Sequence, residues 1–295
     1  RQGNEVETRE ERKNKETRAQ FPLHSLKRSA PIMHRIRSRK TAEEVAQIQR
    51  AIAITGKAFE RVSGFVKPGV KEYEIEAEIT HEFLRNGSRG HAYTPIIASG
   101  YNACVLHYIT NDQVCNDGDV ILMDFGCEYG GYASDLTRCV PVNGRFTKRQ
   151  KDVYNAVWRV KNEATQLLRP GTLMADYHKQ VGKIMESELI GLGLIDKNDV
   201  AKQDPERPLY KKYFMHGTSH FLGLDVHDVG LWNEMIQPDM VFTVEPGIYI
   251  REEKLGIRLE NNILVTRDAP IDLFADIPVE ADAVEEMMNR KKAFA

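Results

Sequence analysis

A chain of 295 residues has room for one large domain or two ordinary ones. At 41% hydrophobic and 28% charged it has a globular composition, and a formal net charge of -2 gives no electrostatic case for nucleic acid or an anionic membrane as main partner. No apolar run approaches the ~20 residues that span a bilayer and no secretory signal opens the chain, so a cytoplasmic protein with no membrane partner is expected.

Residues 1–38 stand apart. RQGNEVETREERKNKETRAQ is almost wholly charged or polar, and the stretch after it is basic with two prolines. It reads as a solvated linker or short helix, and its glutamates count against a mitochondrial transit peptide. With no initiator methionine, the chain is expected to be a fragment, 1–38 the linker or remnant of a missing N-terminal domain and 39–295 one domain.

From Thr41 the pattern turns helical. Thr41 and Glu44 form a capping box, and Val45, Ile48, Ala51, Ile52, Thr55 and Phe59 follow at helical spacing. Lys67-Pro68-Gly69 breaks that helix, and a second, Glu72 to Asn86, ends at Gly87. Strands are expected at 94–99, 104–108, 119–126 and 133–142. The plan then repeats: helices Thr147 to Leu168 and Ala175 to Leu192 flank Arg169-Pro170-Gly171, and strands follow at 240–250 and 256–266. FVKPGVKEYEIEAEI and LLRPGTLMADYHKQV are the same helix–Pro-Gly–helix unit about a hundred residues apart, each leading into paired strands that carry acids. That period is too long for a solenoid and implies two duplicated halves closing on each other.

Between those strand sets, HGTSHFLGLDVHD places His216, His220 and His227 within twelve residues. His216 and His220 have the i, i+4 spacing of one helix face, whereas His227 suits a strand. Gly217 and Gly223 among small hydroxyl residues argue instead for irregular backbone that approaches a ligand closely. Neutral imidazole is both a metal ligand and a proton handler.

Four acids interrupt apolar strands: Asp124 in ILMDFG, Asp135 before Leu136, Glu245 in FTVEPG and Glu260 in IRLENNILV. An unpaired charge there is costly. Two bare carboxylates at about 4 Å repel by roughly 4 kcal/mol at an effective dielectric of 20. Four converging acids would exceed the ~5–15 kcal/mol stability of a domain. Either each has its own partner, with Arg138 and Arg258 as candidates, or cations hold them together. Four carboxylates and a histidine are a hard ligand set that favours manganese or a similar divalent ion, and two such ions balance four charges. Such a pair activates water and polarises a carbonyl, which is hydrolase chemistry. The cysteines, Cys104, Cys115, Cys127 and Cys139, form no CxxC pair and are expected to be free thiols.

HGTSHFLGLDVHDVG, MDFGCEYGGYASDLTR, TVEPGIYI and GIRLENN together resemble the pita-bread metallopeptidases, most closely the Xaa-Pro aminopeptidases, over about residues 39–290. The resemblance implies an α+β pita-bread fold: a curved mixed sheet backed by helix pairs, with an internal pseudo-two-fold duplication. It implies removal of the N-terminal residue from peptides with proline in second position, by a hydroxide activated between two divalent ions. Manganese is expected first, with zinc or cobalt as alternatives. By motif, Asp124 would bind one metal, His220 and Glu245 the other, and Asp135 and Glu260 would bridge. Glu245 would also be general base, His107 would lie near the substrate, and His227 would stabilise the scissile carbonyl. His216 would line the proline pocket, and Arg258 and Tyr249 would orient the bridging acids. Relatives with an N-terminal domain form dimers or tetramers, so a homo-oligomer is expected. The rival readings are prolidase acting on dipeptides, methionine aminopeptidase, and a non-catalytic peptide-binding domain of the same fold.

Overall fold

The computed structural model describes residues 7–290; residues 1–6 of the charged segment and 291–295 lie outside the described residues. Two helices come first, α1 (Arg9–Gln20) and α2 (Ala30–Ser38). Helix α1 buries none of its residues, and α2 buries Ser38 alone. The helix pair α3 (Ala42–Phe65) and α4 (Glu72–Arg85) follows, α3 opening on the expected Thr41–Glu44 capping box. The second pair is α5 (Lys148–Leu167) and α6 (Met174–Gly191), and α5 opens on a matching box between Thr147 and Gln150. Each pair turns at Pro-Gly, with Gly69 and Gly171 at φ +93° and +87°, where a side chain would be strained.

The duplication extends to individual hydrogen bonds. Gly69 N–H donates to Cys115 O at 2.9 Å and Cys115 N–H to Val70 O at 2.8 Å. In the second half Gly171 N–H donates to Ile236 O at 3.0 Å and Ile236 N–H to Thr172 O at 2.8 Å. The same backbone clasp therefore ties each helix turn to the segment entering its strands.

Two short strands, β1 (Gly90–His91) and β2 (Ile96–Ser99), precede the long strand β3 (Val120–Phe125). After β4 (Cys127–Tyr129) and β5 (Tyr132–Ala133) comes β6 (Leu136–Pro141), which pairs with β3 as β2 does on its other edge. The second half supplies β7 (Val241–Val244), β8 (Gly247–Ile250), β9 (Leu255–Arg258), β10 (Asn261–Leu264) and β11 (Ile271–Asp272), and α8 (Ala281–Arg290) closes the described chain after the single-turn α7 (Lys197–Val200). Where a mixed sheet is expected, every described ladder is antiparallel.

Three further expectations are corrected. The expected strand at 104–108 is a single 3-10 turn (Gly100–Cys104) followed by irregular chain. The expected strands 240–250 and 256–266 are each broken, at Glu245-Pro246 and at Leu259-Glu260. Pro246 has no N–H to give a ladder, and the acids turn aside at both breaks.

Strand β3 alternates faces. Ile121, Met123 and Phe125 pack with Ile48 and Phe59 of α3 in one core, while Val120 and Leu122 join Val157 of α5 and Phe242 of β7 in the other. Period two puts Asp124 on the second face, towards the other half.

Candidate metal centre

The site forms where the two halves meet. Asp124 is next to last in β3, opposite Thr137 of β6, and Asp135 lies just before β6. Asp135 is fixed by reciprocal bonds with Asn262 of β10: its N–H donates to Asn262 Oδ1 at 3.1 Å, and Asn262 Nδ2 donates to its carbonyl at 2.8 Å. Glu260 N–H donates to Thr137 O at 3.1 Å, so the break between β9 and β10 docks on β6.

The histidine segment is irregular, as its glycines imply. Residues 218–222 run antiparallel to β7, with Leu222 N–H donating to Val241 O at 3.1 Å, Thr243 N–H to His220 O at 3.0 Å and Glu245 N–H to Thr218 O at 2.8 Å. This register sets His220 Nε2 3.5 Å from Glu245 Oε1 and 3.4 Å from Asp135 Oδ2. His220 Nδ1 lies 2.9 Å from Phe221 O, so the ring is oriented from behind and Nε2 is the nitrogen that faces the acids. Ligand atoms of Asp135, His220 and Glu260 lie within 4.8 Å of one another.

The acids converge, and the arginines do not neutralise them one by one. Arg138 donates to the carbonyls of Pro278, Thr137 and Glu260 and to no carboxylate. Arg258 Nη2 donates to Asp124, its Nη1 to Tyr249 Oη at 2.9 Å and its Nε to Thr137 Oγ1 at 3.2 Å. One guanidinium thus faces four carboxylates. Tyr93, which sequence reasoning missed, sits between two of them, its hydroxyl 2.6 Å from Asp124 Oδ1 and 2.5 Å from Asp135 Oδ1. A phenol has one proton and two carboxylates ask for it. Hard donors gathered with this charge deficit fit divalent cations.

The same crowding of acids bears on the proton affinity of each group. Burial, opposed by His220 and Arg258, pushes Glu245 up to about 7. Burial and the neighbouring Asp135 and Glu245 charges push Glu260 well above the usual carboxylate range. Burial works against His220 charging, yet Asp135 and Glu245 outweigh it and lift the imidazole to about 9. His216 goes the other way: burial first, then Arg258, pull it down to about 3. Its Nε2 is 2.8 Å from Tyr249 Oη and its Nδ1 2.7 Å from Gly217 O, so both nitrogens are engaged and the neutral ring offers an apolar face.

All the sequence-expected site residues but Tyr249 line one cleft of about 540 Å³, and Tyr249 lies behind it in contact with Arg258 and His216. His107 and His227 are on its exposed rim, the His227 ring 4.2 Å from that of His220. The His107 loop is held by Glu72, a wholly buried acid that also escaped sequence reasoning. Its carboxylate accepts from Ser99 N at 2.8 Å, Gln113 N at 3.0 Å and Tyr108 Oη at 2.7 Å. An acid in a first helical turn is ordinary, so nothing in its position marked it. A larger cavity of about 650 Å³ lies between α3 and α8, away from these groups.

The model of metallopeptidase family M24 matches residues 46–267. The chain is 41% identical over 272 residues to Xaa-Pro aminopeptidase of Escherichia coli K12, covering 88% of this chain and 61% of that protein. It is 34% identical over 296 residues to mouse Xaa-Pro dipeptidase, covering 84% of this chain and 59% of that one. A putative aminopeptidase P from Bacillus anthracis superposes with a TM-score of 0.90 at 36% identity, over 99% of this chain and 68% of its own. The chain therefore spans about three fifths of the length of these curated relatives. Its α+β layout of duplicated, helix-backed halves is the pita-bread fold, and the chain belongs to metallopeptidase family M24.

Proposed function

We propose that this chain is the catalytic part of an Xaa-Pro aminopeptidase, removing the N-terminal residue from peptides with proline second. The observation that carries the reading is the convergence of Asp124, Asp135, His220, Glu245 and Glu260 in one cleft beside the neutral ring of His216. Those five residues would hold two divalent ions, manganese first by the hardness of the donors, with zinc or cobalt as alternatives. Bound there, such ions supply a water ionised near neutral pH and polarise the scissile carbonyl.

The chain's own groups do the rest. Glu245 takes a proton at Oε2, the oxygen 3.9 Å from His216 Nδ1, and passes it to the leaving nitrogen. His227 donates to the carbonyl oxygen as it gains charge, and His107 closes the other side of the substrate. His216 presents its ring to the proline, since a neutral imidazole with both nitrogens engaged suits a pyrrolidine. Arg258 fixes Asp124 and, through Tyr249, the His216 ring. A cytoplasmic setting is supported by four buried, free cysteines, and no helix among the described residues is long and apolar enough to cross a membrane. A homo-oligomer, expected from the resemblance, is part of the same proposal.

The test is peptide hydrolysis with Mn²⁺ titrated into metal-stripped protein, comparing Xaa-Pro-Yaa, Xaa-Ala-Yaa and the dipeptide Xaa-Pro. Cleavage of Xaa-Pro-Yaa alone supports the reading. A strong preference for the dipeptide would make the protein a prolidase, and cleavage of Met-Ala peptides a methionine aminopeptidase. No cleavage and no bound metal would leave a peptide-binding domain.

A further inference from the structure

The segment before Thr41 is tied to the histidine loop. Arg37 Nη2, at the end of α2, pairs with Asp225 Oδ2 at 2.6 Å and also with Asp228 Oδ1. Lys40 Nζ lies 3.5 Å from Asp228 Oδ2, and both of those side chains are 1% exposed. Lys40 Nζ also donates to Arg37 O at 2.7 Å. Asp225 and Asp228 flank His227, 188 and 191 residues away from Arg37 in the chain.

The packing is built around that contact. Asp228 N–H donates to Phe221 O at 2.9 Å and its Oδ1 accepts from Val229 N at 2.8 Å, so its carboxylate fixes the turn that carries His227. A Cβ at Gly223 would meet Asp228 Oδ2 at 2.2 Å and Lys40 Cε at 2.9 Å, so any larger residue there would have to displace the pair. With the Arg37 side chain gone, Asp228 keeps only Lys40, which stands 3.5 Å from Oδ2 and is itself bonded to the Arg37 carbonyl, so the carboxylate is held on one side only and can shift. Here that movement would carry the neighbouring His227 with it.

We propose that Arg37 and Lys40 are positioning residues for His227, holding its loop against the cleft through the buried carboxylate of Asp228. The proposal rests on the role assigned above to His227. It makes the charged stretch before Thr41 part of the working site, where composition alone reads it as a linker. Arg39 is the natural control, because it pairs with Asp239 at 2.8 Å with both groups half exposed.

The experiment compares Arg37→Ala, Arg37→Lys, Arg39→Ala and His227→Ala, with Arg37→Ala also placed in the His227→Ala background. Arg37→Ala should lower kcat/KM about tenfold or more, mostly in kcat, because a small misplacement of a reacting group costs that much. Arg37→Lys should recover most of the loss, and Arg39→Ala should match the parent. In the His227→Ala background the Arg37 change should cost less than about twofold, since coupled residues are not additive. Equal losses in both backgrounds would overturn the proposal, as would full activity in Arg37→Ala. Amide exchange over residues 223–231 gives a readout that needs no substrate. It should speed up about tenfold in Arg37→Ala while β7 stays protected, because a freed loop opens locally. Unchanged exchange there would refute the clamp even if no Xaa-Pro peptide were cleaved, which keeps its failure separate from that of the functional reading.

Discussion

Thr137 and Glu260 are joined twice, although 123 residues separate them: the Thr137 hydroxyl donates to Glu260 Oε2 at 2.6 Å, and Glu260 N–H donates to the Thr137 carbonyl at 3.1 Å. One residue of the first half thus orients an acid of the second by side chain and backbone together. Arg258 adds its Nε to the same hydroxyl, so Thr137 is where the two halves share a hydrogen-bond chain.

Thr137→Val keeps the shape and deletes the hydroxyl. Leaving Glu260 one donor short should cost about 1–3 kcal/mol of stability. Loss of an orienting partner of a ligand should weaken metal affinity by about 10- to 100-fold. Denaturant unfolding and metal titration read the two effects; an unchanged metal affinity would show that the backbone bond alone orients Glu260.

Glu245→Gln should lower kcat by about 10²-fold or more, the usual worth of a positioned proton carrier. The fold should survive, because Glu245 is a half-buried residue at a strand break and its backbone bond to Thr218 is kept. Steady-state kinetics beside circular dichroism would check both halves of that statement. Undiminished turnover would remove Glu245 as the base.

Stability should respond to pH differently with and without metal. The His220 imidazole is lifted from 6.5 to about 9 in the metal-free protein, so its stabilising contribution is complete below pH 6.5 and is lost as pH rises through about 9. Glu245, lifted from 4.5 to about 7, loses its contribution in the same direction over a lower window. A cation replaces these protons, so the loaded protein should escape the loss and metal uptake should release protons. The gap between loaded and stripped protein should therefore widen by up to about 3 kcal/mol for His220 between those two pH values. A constant gap in thermal unfolding across that range would contradict this.

Tyr93→Phe removes the lone phenol proton offered to Asp124 and Asp135. The stripped protein should lose about 1–3 kcal/mol, the cost of unmet buried acceptors, and the loaded protein less. Metal affinity should then rise or hold. A tenfold fall by calorimetric titration would instead make Tyr93 an orienting group for the ligands.

Much of the local plan is legible in the chain. The Thr41–Glu44 and Thr147–Gln150 boxes open the two long helices, and the Pro-Gly pairs end them, because caps and turns are set by neighbouring residues. The acid-bearing strands were also legible as apolar runs with one charge each. The 104–108 segment was not: its apolar residues suit a strand, but its backbone turns on itself, Val105 N–H donating to Asn102 O and Tyr108 N–H to Val105 O. Tyr93 carried no signal either: one tyrosine beside a short strand is ordinary until two carboxylates from other strands arrive beside it.

By itself the sequence determined which residues could be ligands, the duplicated order of helices and strands, and the charge excess that four acids create when gathered. Those follow from spacing and composition, which are local. Tertiary structure decided that Arg258 serves Asp124, that Arg138 turns away to backbone carbonyls, and that Arg37 reaches past 188 residues to the histidine loop. The reason is physical: a buried charge is satisfied by whatever the fold brings within about 3 Å of it, and chain separation says nothing about that distance.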